Sequence, residues 1–180
     1  LISGEALDVE MPYLQMENLN PRLIENMLDM KTGALLRYCA ETGALIGLKS
    51  AKFAKDRRVR DIGEFASLAG VAFQLKDDWL GIFGNEEKLG KPVGSDLSER
   101  KPTLLLYHTW KMLPLKERRK LMSMLGQESY SAKELDTVRK MMRETGAEEK
   151  TVRRAEFLAD SAKRILLGFP DNRYRKLLLE

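Results

Sequence analysis

Phe73-Gln74-Leu75-Lys76-Asp77-Asp78-Trp79-Leu80-Gly81, followed by Leu89-Gly90-Lys91, is the stretch on which the reading of this chain turns. Leu68, Ala72, Leu75 and Trp79 recur at helical spacing, which predicts a helix over residues 60 to 83 with that side on the core. The other side carries Gly70, Gln74, Asp77 and Gly81, with Asp78 beside them. One face is apolar, and the other holds a carboxamide and acids flanked by residues without side chains.

Two like charges about 4 Å apart repel by roughly 1 kcal/mol in water and roughly 4 kcal/mol at an effective dielectric near 20. A surface pair tolerates this, whereas a pair in a cleft needs a cation or a proton. Taken alone, Asp77-Asp78 reads as a solvated helix face. Its surroundings shift that reading toward a metal site. Gln74 shares the face and can donate to an anion. Gly70 and Gly81 each cost about 1 kcal/mol inside a helix, a cost that makes sense where something approaches the backbone closely. The glycine-rich loop beyond brings Lys91 and Lys101. The spacing fails the alternating-oxygen pattern of an EF-hand. Oxygen ligands with no histidine or cysteine cluster favour magnesium over zinc.

Outward from this stretch the pattern stays helical. Asn20-Pro21 reads as an N-cap followed by proline at the first helical position, and the helix runs with few breakers to about Lys52. Lys31-Thr32 sits inside it, where a lysine ordinarily snorkels to solvent. The segment 84–103, with Gly84, Gly90, Pro92, Gly94 and Pro102, is the one long irregular stretch, and such loops in compact domains are usually functional or disordered. Leu135, Val138 and Met142 mark a further helix ending at Thr145-Gly146. Val152, Ala155, Ala162 and Ile165 mark another, ending near Gly168 and Pro170. The fold class is all-α, and residues 1–180 are read as a single domain.

Composition narrows the function. Hydrophobic residues make up 43% and charged residues 32%, against disorder. The net charge is only +4, and acids interrupt each basic cluster, which describes solvated helix faces and no nucleic-acid footprint. No apolar run reaches the roughly 18 residues that span a membrane. The single cysteine, Cys39, excludes an intramolecular disulfide framework, fits a reducing cytosol and reads as a small buried apolar residue. His108, the only histidine, has no nucleophile or metal pattern around it and reads as structural or surface. Met122, Met124, Met141 and Met142 read as core gap-fillers.

These residues, in this order, resemble the trans-isoprenyl diphosphate synthases (polyprenyl synthetases), above all archaeal-type geranylgeranyl and farnesyl diphosphate synthases. Ser3-Gly4-Glu5-Ala6-Leu7-Asp8 is similar to the family's Gly-Gln-x-x-Asp element, with glutamate in place of glutamine. Lys31-Thr32 matches its Lys-Thr pair. Phe73-Gln74 and Asp77-Asp78-Trp79-Leu80-Gly81 match the Phe-Gln pair and the second aspartate-rich motif. Leu89-Gly90-Lys91, Gly94-Ser95-Asp96-Leu97 and Lys101-Pro102-Thr103 match the loop that follows. Gly81 stands where many members have a third aspartate, and Arg100 stands where glycine is usual.

The resemblance implies an isoprenoid synthase-type helical bundle around a deep central cavity, with the N-terminal helices and the first aspartate-rich motif outside this chain. It implies a prenyltransferase that condenses an allylic diphosphate with isopentenyl diphosphate through magnesium-dependent ionisation. Lys31, Gln74 and Asp77 are then the catalytic residues, and Asp77 and Asp78 the metal residues. Lys31, Thr32, Gln74, Lys91 and Lys101 bind substrate. A cytoplasmic homodimer is expected, with this chain inactive by itself. A non-catalytic diphosphate-binding subunit and a related diphosphate-ionising terpene enzyme are the alternatives.

Overall fold

Asn20 and Pro21 open the first long helix as their chemistry dictates. The Asn20 carboxamide accepts from the Leu23 amide at 3.0 Å, and Pro21 sits where its missing N–H costs nothing. The computed structural model describes residues 1–49, 52, 55–90 and 92–179, without the side chains of residues 88 and 89. All regular elements among the described residues are helical, which fits the expected all-α class. After α1 (Ile2–Glu10), two 3₁₀ turns lead to α2 (Pro21–Leu28). A π turn (Asp29–Gly33) joins α2 to α3 (Ala34–Gly47). The helix stops at Gly47 and does not reach Lys52, because Lys49 turns the chain out at φ 56°.

The longest helix, α4 (Arg57–Phe83), begins at Asp56, whose carboxylate caps the Arg58 amide at 2.8 Å. Leu75, Val71, Ala72 and Ile82 enter the core, Leu68 packs at its margin and Trp79 is half-buried. After α5 (Glu86–Leu89) and α6 (Ser95–Ser98) comes α7 (Leu104–Met112), in which residues 104–110 are all buried. His108 is therefore a core histidine: burial and nearby Lys150 lower its pKa to about 4, against Glu25, so it is neutral. α8 (Leu115–Ser123) precedes α9 (Ala132–Glu144), which starts on a Ser131/Glu134 capping box. Gly146, at φ +69°, turns the chain into α10 (Ala147–Leu167), which packs along α4. A forked pair from Arg154 to Glu25, at 2.7 and 2.6 Å, ties α10 to α2. α11 (Arg173–Leu179) follows.

Cys39 and Met122 depart from expectation. Cys39 is exposed, not buried, because α3 has no buried residue and nothing covers its outer face among the described residues. Met122 is 38% exposed, whereas Met141 and Met142 are core. The segment 84–103 also holds more structure than its glycines and prolines suggest. The Gly94 amide bonds the Gly81 carbonyl at 2.8 Å, and the Val93 amide bonds Glu86 Oε1 at 2.9 Å, so the loop is stitched to the end of α4.

Arg100 lies in that loop at φ 55°, a left-handed conformation that explains why glycine suits the position. Gly126, at φ +81°, lies against it, and a Cβ at Gly126 would strike the Arg100 guanidinium. Gly126→Ala should therefore lower the unfolding free energy in a urea titration by at least about 1–2 kcal/mol, the backbone cost alone. Adding Arg100→Gly removes the collision and should recover whatever loss exceeds that cost.

Candidate functional site

Residues 67, 70, 74, 77 and 81 form one stripe of α4, three and four apart. Ser67, Gly70 and Gln74 of the stripe face the π turn. At the middle of the stripe, Thr32 Oγ1 donates to Gln74 Oε1 at 3.2 Å, so the Lys-Thr pair and the Phe-Gln pair meet through their polar members. Phe73 points away and is 67% exposed. Lys31 does not snorkel to solvent. Its Nζ bonds Asp8 Oδ2 of α1 at 2.5 Å and lies 3.7 Å from Glu5 Oε2, with the lysine side chain 26% exposed.

The glycines of the stripe lie where other parts of the protein approach closely. At Gly70 a Cβ would lie 2.9 Å from Leu36 Cδ1 and 3.2 Å from Gly33 Cα. At Gly81 it would lie 3.1 Å from Asp96 Oδ2. Neighbouring elements, α3 and the loop, need the close approach.

Asp77 and Asp78 divide in environment. Asp77 is half-buried, while Asp78 is 1% exposed. Lys101 Nζ, from the loop, donates to Asp78 Oδ1 at 3.1 Å and lies 3.9 Å from Asp96 Oδ1. Burial drives the Asp78 carboxyl up to about 6, reinforced by Asp96 and Asp77 and opposed by Lys101. Burial also works against the charge on Lys101, but Asp78, Asp96 and Asp8 outweigh it and raise its pKa. Because Asp8 contributes, the Lys31–Asp8 and Lys101–Asp78 pairs share one electrostatic neighbourhood. Lys91 lies outside the described residues, as does the side chain of Leu89.

The donors suit a hard cation. They are carboxylate oxygens, and Asp78 Oδ2 is buried with no hydrogen-bond partner among the described residues. No group of three or more His, Cys, Asp or Glu side chains among the described residues is arranged to hold a metal. Asp77 and Asp78 therefore fit one part of a coordination shell. Two cavities, about 880 and 590 Å³, lie elsewhere: the first beside Tyr13, Arg100 and Trp110, the second between α4, α10 and α11. Neither is lined by Lys31, Thr32, Gln74, Asp77 or Asp78. Reading the sequence missed Asp8 and Asp96 as site residues, although both fall inside the quoted elements; only the fold shows that each takes a lysine.

The solved geranylgeranyl pyrophosphate synthase of Corynebacterium glutamicum, complexed with isoprenyl diphosphate and magnesium, superposes with a TM-score of 0.81 at 26% identity. The match covers 99% of this chain and 49% of that one. The fold is thus the isoprenoid synthase-type helical bundle. The polyprenyl synthetase family profile matches residues 1–142, and the chain belongs to that family. It is 35% identical over 134 residues to the short chain isoprenyl diphosphate synthase of the archaeon Methanocaldococcus jannaschii, covering 73% of this chain and 38% of that protein. It is 32% identical over 186 residues to the octaprenyl diphosphate synthase of Escherichia coli K12, covering 99% and 55%. The chain spans about half or less of the length of these relatives, and their names cover different product lengths. No helix among the described residues is long and apolar enough to cross a membrane.

The buried pair carries a pH signature. The Asp78 carboxyl titrates near 6 when folded and near 3.8 otherwise, so between those values the folded state holds the proton more tightly. The charge costs about 3 kcal/mol above pH 6, and the cost disappears as the pH falls toward 4. Removing Lys101 leaves Asp78 buried without its cation. Lys101→Met should lose about 3–5 kcal/mol at pH 7 with chelator present. The loss should shrink by pH 5, where Asp78 takes a proton; urea unfolding at the two pH values reads the difference.

Proposed function

We propose that this chain forms the diphosphate-holding part of a prenyltransferase that joins an allylic diphosphate to isopentenyl diphosphate. The observation that carries the reading is the meeting of Thr32 with Gln74 at 3.2 Å, with Lys31 next in sequence and Asp77-Asp78 one turn further along α4. Cationic, hydroxyl and amide groups suited to phosphate oxygens adjoin acids suited to a divalent cation.

In this reading Lys31, Thr32, Gln74 and Lys91 contact the diphosphate, and Asp77 is the principal metal ligand with Asp78 behind it. Lys101, which the resemblance implies as a substrate-binding residue, is engaged by Asp78 and Asp96 and in this reading serves the site by holding them in place. Magnesium, when bound, neutralises charge on the leaving diphosphate. Lys31 adds positive charge at the position where negative charge accumulates on ionisation, which is where preorganised electrostatics lowers a barrier most. Lys31 is half-buried and already held by Asp8, so it needs little reorganisation to act. The product belongs to the chain-elongation class, of geranylgeranyl or farnesyl type, and the protein is cytoplasmic. Exposed Leu35, Tyr38 and Ile46 on α3 support assembly with further protein, as a homodimer or with additional helices.

The acids among the described residues make only part of a metal shell, so the 180-residue chain alone should bind inorganic pyrophosphate in a magnesium-dependent way and make no product. Calorimetry with pyrophosphate and a condensation assay test both halves. Lys31→Ala should weaken pyrophosphate binding about tenfold, the loss of a charge-assisted contact, and Asp77→Ala should remove the magnesium dependence. Absence of pyrophosphate binding by the native chain would sink the diphosphate reading; measured turnover would sink the incompleteness.

A further inference from the structure

The reading of Lys31 and Thr32 as diphosphate-binding leaves open what holds them in place, and the structure supplies a device. Both residues lie in the π turn Asp29–Gly33, where the backbone leaves the α pattern. Such turns are rare and are common at functional sites. The i→i+5 bond closing this one runs from the Ala34 amide to the Asp29 carbonyl. The same residue anchors the turn sideways, because Ser67 Oγ of α4 donates to Asp29 Oδ1. Asp29 thus closes the turn with its main chain and fastens it to α4 with its side chain.

The packing leaves room for this arrangement and little else. A Cβ at Gly33 would collide with the Asp29 carboxylate and lie 3.2 Å from Ser67 Oγ. Gly33 Cα in turn lies where Gly70 of α4 lacks a side chain. On the opposite side, a Cβ at Gly4 of α1 would strike the Lys31 backbone nitrogen. The turn is held between α1 and α4, and Ser67 and Gln74 grip it two helical turns apart on one stripe. Ser67 is 6% exposed, so a lost partner there would not be replaced freely by water.

We propose that Asp29 and Ser67 are positioning residues for the diphosphate site: their hydrogen bond fixes the π turn and with it the placement of Lys31 and Thr32. Neither side chain is assigned to touch substrate. Asn at position 29 keeps an oxygen acceptor for Ser67, whereas Ala does not, and that separates the hydrogen bond from the charge.

The test is an NMR titration of inorganic pyrophosphate with magnesium into the native chain, Asp29→Asn, Asp29→Ala and Ser67→Ala, following the amides of Lys31, Thr32 and Gln74. Hydrogen exchange is measured on the same samples. The native chain and Asp29→Asn should respond at the same pyrophosphate concentration. Asp29→Ala and Ser67→Ala should need about tenfold more, the scale of a lost hydrogen bond to a charged group. In those two variants the amides of residues 32–34 should exchange at least about tenfold faster, with α9 and α10 unchanged. Equal titration and exchange in all four proteins overturns the proposal. So does faster exchange spread over the whole chain, which describes general destabilisation, or Asp29→Asn behaving like Asp29→Ala. If the native chain gives no pyrophosphate response, the diphosphate reading fails, and the exchange measurement alone decides whether Asp29 and Ser67 hold the turn.

Discussion

The Asp78–Lys101 pair joins the longest helix to the loop that follows it, and the geometry of the polar end depends on it. A carboxylate 1% exposed to solvent is an expensive thing to place inside a protein. Lys101 meets part of that cost at 3.1 Å and draws in Asp96 at 3.9 Å, so the loop is pulled across the end of α4. The Gly94–Gly81 backbone bond then has its register set. A buried pair of this kind is weak evidence for stability but effective at selecting one arrangement of two elements. Here the selected arrangement leaves Asp77 half-buried on the stripe and turns Asp78 inward.

The same end of the bundle shows why adjacent acids need not share a role. Successive helical positions point about 100° apart. Asp77 remains half-buried on the stripe with Gln74, while Asp78 enters the protein and meets its lysine. The Lys31–Asp8 pair repeats the device between the π turn and α1. Charges on this side are held by named partners before any ligand arrives, which is what preorganisation requires.

Much of this was legible in the sequence, for identifiable reasons. The helical class follows from periodicity, and the start of α2 from a cap whose hydrogen bond forms as its chemistry demands. The stripe with Gln74 and Asp77 follows from spacing alone, and the Lys-Thr and Phe-Gln pairs do meet. What was not legible depends on contacts distant in the chain. Burial of Asp78 is a property of Lys101, which lies 23 positions away. Cys39 looks like a core residue from its type, yet it is exposed because α3 lacks a covering element among the described residues. Asp29 and Ser67 carry no sequence signal, since an aspartate on a helix and a serine on another are ordinary until the fold sets them together. The glycines at 70 and 81 are close-approach positions, and the approaching atoms shown belong to the protein.

The π turn has a consequence for how this region tolerates change in chain length. Ile24, Met27 and Leu28 of α2 are buried, whereas no residue of α3 is, although the two helices run on through a single continuous turn. The wider turn absorbs one residue more than a regular α turn. Deleting one residue between Asp29 and Gly33 would let the segment relax to a regular helix with α3 in nearly its present phase. Leu35, Leu36 and Tyr38 would keep their directions, while Lys31 and Thr32 would lose the wide turn that carries them. Deleting a second residue would rotate the whole of α3 by about 100° relative to α2.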